Sequence, residues 1–289
     1  MSSSSPSNKE TVMRKVPLFS RMPILPLSVT VPASIILLII LLALLVPIVS
    51  PYDALRQNLT ERLSAPGTAH ILGTDALGRD CFTRIFYGTR ISLFVALIPT
   101  AFAVLIGMAA GIAAAFFGKA ADALVTWLSD VTLAFPGMLL AMVIMYSFGG
   151  SFSSIVISIV IMEWGSIARI VRSVTLSILE NEYILAARSI GVKRFNIIIR
   201  HIIPNLIPTL IVLFTLNIPA SILSESSLSF LGIGIQPPEV SLGLMVNESR
   251  TLLFNKPHLV LGPAGMIMLL VLSFNFLGDA LRDRFDQEV

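Results

Sequence analysis

Long charge-free runs alternate along this chain with short basic or turn-rich segments. A helix that crosses a bilayer needs about 20 mostly apolar residues, and six stretches reach that length: 29–49, 91–118, 122–148, 152–170, 202–231 and 259–277. The third carries Asp130 in its first half and Pro136 as an expected kink. A Gly149-Gly150 turn separates it from the fourth. Pro99, Pro208 and Pro219 also fall inside spans, where neighbouring helices can satisfy the backbone groups that proline frees. The pattern predicts an all-α, polytopic membrane protein. Its parts are a tail at 1–28, a first transmembrane helix at 29–49, a loop at 50–90, a membrane core at 91–280 and a tail at 281–289. The core includes a charged loop at about 171–204.

Composition agrees with the pattern. Of 289 residues, 55% are hydrophobic and 13% charged, with a mean hydropathy of +0.87, against about 25% charged in soluble domains. The first seven residues are crowded with serine and Pro6, and Lys9, Arg14, Lys15 and Arg21 follow, which reads as a disordered tail. The apolar run behind it is too long for a signal-peptide core and should stay as an anchor. Cys81 is the single cysteine, so the chain has neither an internal disulfide nor a thiolate metal site. The net charge of +3 would in a soluble chain suggest an acidic partner such as nucleic acid. In a membrane protein it follows the positive-inside rule. With the N-terminus inside, 13 of the 20 Lys and Arg fall on inner segments and 7 on outer ones, among them Arg79, Arg84 and Arg90. Both termini are therefore expected in the cytoplasm, with 50–90 outside and 171–204 inside.

The inner segment ENEYILAARSIGVKRFNIIIRHIIPN holds the most chemistry. Asn181 suits an N-cap, Glu182 the positive end of a helix, and Gly191 the left-handed residue that ends it. A helix over 182–190 is about 13 Å long, too short to cross a membrane. Ala186, Ala187 and Gly191 allow close backbone approach and suit docking into a groove of another protein. Arg188, Lys193 and Arg194 equally suit an amphipathic helix lying on lipid, and residue chemistry alone leaves both readings open.

Elsewhere the motifs are mostly structural. The stretch GIAAAFFGKA from Gly111 has six residues between its glycines and Ala120 after the lysine, whereas a P-loop needs four and Ser or Thr. Gly107 and Gly111 form a GxxxG pair expected to pack helices closely. Four acids lie within or at the ends of spans: Asp130, Glu163, Glu225 and Asp279. Asp130 and Glu163 are expected to pair with Arg169 or Arg172, and Asp279 with Arg282. Glu225 has no basic residue in reach and is the candidate for a path or gating role.

AARSIGVKRFNIIIRHIIPN resembles the EAA loop of ABC-importer permeases, with Ala186, Ala187, Gly191, Ile203 and Pro204 on its spacing and Leu185 where that pattern has Glu. LGTDALGRDCFTRIFYGTRISL from Leu72, SESSLSFLGIGIQPP from Ser224 and FNFLGDALRDRFD from Phe274 resemble the dipeptide, oligopeptide and nickel branch of that family; Leu242 stands where the branch usually has Trp. The resemblance implies a type I ABC importer permease in a bacterial inner membrane, forming half of the path for peptides or a related small solute such as nickel or a metal chelate. Its implied partners are a second permease, two ABC ATPases that bind ATP and Mg, and an external solute-binding protein. Nucleic acid is not among them, and this chain itself carries no cofactor, metal or catalytic residue. The implied ATPase-coupling residues are Glu182, Ala186, Ala187, Arg188, Gly191, Arg194, His201 and Pro204. The rival reading is an ion-coupled secondary transporter with Glu225 or Asp130 as coupling acid; it leaves 181–204 without a role.

Overall fold

The computed structural model describes residues 26–287; the basic tail residues Lys9, Arg14, Lys15 and Arg21 lie outside them. Among the described residues there are ten α-helices: α1 (Leu27–Val49), α2 (Cys81–Phe116), α3 (Lys119–Ala134), α4 (Gly137–Phe148), α5 (Phe152–Leu179), α6 (Glu182–Ser189), α7 (Arg194–Ile197), α8 (Ile203–Phe230), α9 (Leu242–Ser249) and α10 (His258–Gln287). A π-helical turn, Ile198–Ile202, joins α7 to α8. Five segments are long and apolar enough to cross a membrane, and the pair α3 and α4 makes a sixth if counted as one span.

Several boundaries differ from the hydrophobic pattern, α5 for one running to Leu179 rather than 170 and so into the expected loop; three more bear on the architecture. First, α2 begins at Cys81 rather than at 91, because Asp80 caps it by accepting from the Thr83 amide at 2.8 Å. Second, α10 continues through 281–287 instead of giving way to a tail. Third, Pro136 does more than kink a helix. It separates α3 from α4 at an angle of 86°, since proline removes a donor and drives the preceding residue, Phe135, into extended backbone (φ −88°, ψ 138°).

α2 is the central helix. Gly107 and Gly111 press it against α5, where an added methyl would stand 2.6 Å from Ile167 Cγ2 and 2.6 Å from the Ala168 carbonyl oxygen, respectively. Gly111→Ala should therefore cost about 1–3 kcal/mol by overpacking. Gly265, inside α10, has open space within 4 Å of the same methyl, and Gly265→Ala should gain about 0.5–1 kcal/mol from helix propensity. Thermal melting of the purified variants should show these opposite signs.

At one end of the bundle, residues 50–80 fold into a cap over the start of α2. At the other end, α6, α7 and the π turn form a short projection between α5 and α8. Behind that projection Ile184, Ile197, Ile202 and Leu206 share a core with Ile167 and Val171 of α5 and Val104 and Ile112 of α2.

Candidate functional site

The projection is built by local rules. α6 starts after Asn181, which has extended N-cap backbone but makes no side-chain capping bond, contrary to the expectation from its residue type. It ends in a Schellman motif: Val192 N donates to the Ala187 carbonyl at 3.1 Å and Gly191 N to that of Arg188 at 3.0 Å, with Gly191 at φ +80°. Within α6 only Ile184 and Ala187 are buried. Ala187, expected to face a partner, is 8% exposed and packs inward on its own chain. One small residue thus seats the helix on the bundle, and the outward surface is made by larger ones.

That surface carries Leu185, Ala186, Ile190 and Phe195, all exposed, with Ile190 at 80%. Exposed Glu182, Arg188, Lys193, Arg194 and Arg200 surround it. Arg188 lies over the Phe116 ring at 5.6 Å, which ties the rim of α6 to the end of α2. Tyr183 and His201 stack with centroids 6.0 Å apart, and Asn205 donates to the Tyr183 hydroxyl at 3.4 Å. Pro204 sits exposed in the first turn of α8. The structure therefore brings seven of the eight residues singled out in the loop into one projection, with Ala187 on its inner side and the eighth, Pro204, in the adjoining first turn of α8. Leu185, Ile190 and Phe195 were missed; their signal was apolar side chains inside an otherwise charged segment.

Glu225 is fully buried. It accepts from Ser229 at 2.7 Å, Ser92 at 3.3 Å and Ser226 at 3.4 Å, and Ser241 bonds Ser229 in turn. Ser92 and Ser229 also accept from the amides of Leu242 and Ile235. Glu225 thus binds α8 to α2 and to the entry of α9, with its carboxylate enclosed by serines of its own chain. Glu163 departs from expectation. Six residues from Arg169 on one helix, it points about 120° away, and its carboxylate accepts from Ser221 at 2.6 Å, which meets Thr100 at 2.7 Å. The arginines take their partners from α3: Arg169 pairs with Asp130, as expected, and Arg172 with Asp122 in place of Glu163. Asp279 is exposed on α10.

The cap holds a charge cluster whose Asp75, Arg79, Asp80 and Arg84 come from the motif that begins at Leu72, while the partners His70 and Glu248 lie outside it. Arg79 donates through Nε to Asp75 at 2.6 Å, and Arg79 and Arg84 both donate to one Glu248 oxygen, at 3.0 and 2.9 Å. His70 meets Asp80 at 2.8 Å and stacks on Tyr52. Two of the seven basic residues assigned to the outer side are therefore neutralised within the fold.

Comparison with known proteins agrees with this architecture. Residues 103–289 match the family model described as "Binding-protein-dependent transport system inner membrane component". The chain is 39% identical over 255 residues to the glutathione transport system permease protein GsiD of Pectobacterium atrosepticum, covering 88% of this chain and 85% of that one. It is 39% identical over 256 residues to the dipeptide transport system permease protein DppC of Bacillus subtilis, covering 88% and 80%. With GsiD of an Escherichia coli O6:K15:H31 strain the identity is 38% over 262 residues, covering 89% and 85%. An all-helical membrane bundle with a short projecting loop, matched along nearly its whole length by transport permeases, belongs to the family of binding-protein-dependent inner membrane components, the non-enzymatic permease subunits of ABC importers.

Proposed function

We propose that this chain forms half of the import path for peptides or closely related small solutes, with the α6 to α8 projection as the seat of an ABC ATPase. The observation that carries the coupling role is the exposed apolar centre of Leu185 and Ile190, on and just after α6, a helix too short to cross a membrane, joined by exposed Phe195 at the outset of the segment that continues into α8. ATP and Mg belong to the ATPase subunits, two in number in this reading. A second permease completes the path, and an external binding protein delivers solute to the cap side. The substrate class rests on the relatives named for dipeptide and glutathione transport. Both termini and the projection lie in the cytoplasm, a placement supported by the 13 to 7 distribution of basic residues.

Cysteine labelling in a Cys81→Ala background tests this placement. Thr60→Cys and Glu239→Cys, both at exposed positions, should react with an impermeant reagent added outside, and Ile190→Cys only after it is given access to the cytoplasmic face. Labelling of Ile190→Cys from outside would overturn the topology. Co-purification of ATPase subunits with the tagged chain should accompany it.

A further inference from the structure

The Arg169–Asp130 pair between α5 and α3 lies on a face that does not suit lipid. Ser166, Arg169, Ser173 and Ser177 recur at spacings of three and four along α5 and are all exposed in the single chain. Asp130 faces them from α3, and the side chains of Arg169 and Asp130 are 50% and 57% exposed even though they pair. Ser166 lies about 21 Å along α5 from Phe152, within the roughly 30 Å hydrocarbon thickness if Phe152 marks one boundary. By the same rise Arg169 lies about 26 Å, Ser173 about 32 Å and Ser177 about 38 Å from Phe152, so Ser166 and the ion pair fall inside that thickness and the other two hydroxyls at or beyond its inner edge; an exposed ion pair at that depth belongs against water or protein. Exposed Ile157 stands about 180° around the same helix from Ser166, and exposed Ile170, about 40° from Ser166, borders the hydroxyl row as its apolar edge.

We infer that the Ser166, Arg169, Ser173 and Ser177 face of α5, with Asp130 opposite, is a hydrated wall of the inner half of the translocation path. Three hydroxyls and one charge of each sign offer transient partners to a hydrated solute carrying both an amine and a carboxylate. No side chain here encloses a solute, so the wall passes it rather than holding it. The inference rests on the permease reading, and the experiment separates the two.

In the assembled complex carrying Cys81→Ala, Ser166→Cys and Ser173→Cys are exposed to a charged methanethiosulfonate in inside-out vesicles. Leu37→Cys, at an exposed apolar position on α1, is the lipid-facing control. A hydrated wall gives reaction about tenfold faster than the control, because only a hydrated thiol ionises readily. Trapping the ATPases with ATP and vanadate should then slow Ser166→Cys about fivefold as the inner end of the path closes. Reaction at the control rate would place the stripe against lipid or a second permease and overturn the inference. Fast reaction that trapping leaves unchanged would place it on open cytosol and overturn the inference as well. Absence of ATPases from the purified complex counts against the proposed coupling instead, and the resting-state rates still decide whether the wall is wet.

Discussion

Glu248→Ala is expected to loosen the cap from the bundle and to destabilise the protein by about 3 kcal/mol, the lower part of the range for removing one partner of a buried ion pair. The reason is geometric. One Glu248 oxygen receives both Arg79 and Arg84, and Arg84 is 1% exposed. Without that oxygen the two guanidinium groups share only Asp75, which reaches Arg84 Nε at 3.5 Å, and one positive charge is left uncompensated beneath the cap. Glu248 is partly open to solvent, which argues for the lower end of the range. Replacing Arg84 and Glu248 together by Met and Leu should recover much of the loss, because no lone charge remains. Thermal melting and limited proteolysis within 50–80 would check this. An unchanged melting temperature in Glu248→Ala would show that the cap is held by other contacts.

This cluster also shows where reading the chain alone runs out. Charge-free length located the spans because hydrocarbon imposes a local requirement on every residue that crosses it. The short α6 and its left-handed end were equally local, written in Glu182 and Gly191. Pairing is different. Arg84 and Glu248 are 164 residues apart, and Glu163 finds Ser221 from 58 residues away, so no spacing rule connects them. The near-perpendicular break at Pro136 was visible as a proline but not as an angle, which depends on how α3 meets α5 through Asp122 and Asp130. Ala187 failed for another reason: a small residue signals close approach without saying to what, and its neighbour turned out to be its own chain.

Ile190→Asp and Gly191→Arg are expected to leave the chain folded and inserted, yet to detach the ATPases. Ile190 is 80% exposed and Gly191 has open space around its added Cβ, so neither change fills a core position. Aspartate at 190 would place a charge where an apolar centre meets its groove. Truncation or charging of such a central contact typically costs about 2 kcal/mol or more, about 30-fold in affinity. Arginine at 191 adds a backbone penalty of about 1–2 kcal/mol, because the Schellman turn holds that residue at φ +80°. Ala187→Arg should behave differently. Its side chain would enter the packing beneath α6, so the projection itself would be disordered and the yield of folded protein should fall. Pull-down of ATPase subunits, membrane yield and ATPase stimulation separate these outcomes. If the projection lay on lipid instead, Gly191→Arg would strengthen membrane attachment through anionic headgroups and Ile190→Asp alone would weaken it. ATPases retained at normal stoichiometry and coupled transport in both Ile190→Asp and Gly191→Arg would show that the apolar centre of the projection is not the coupling contact.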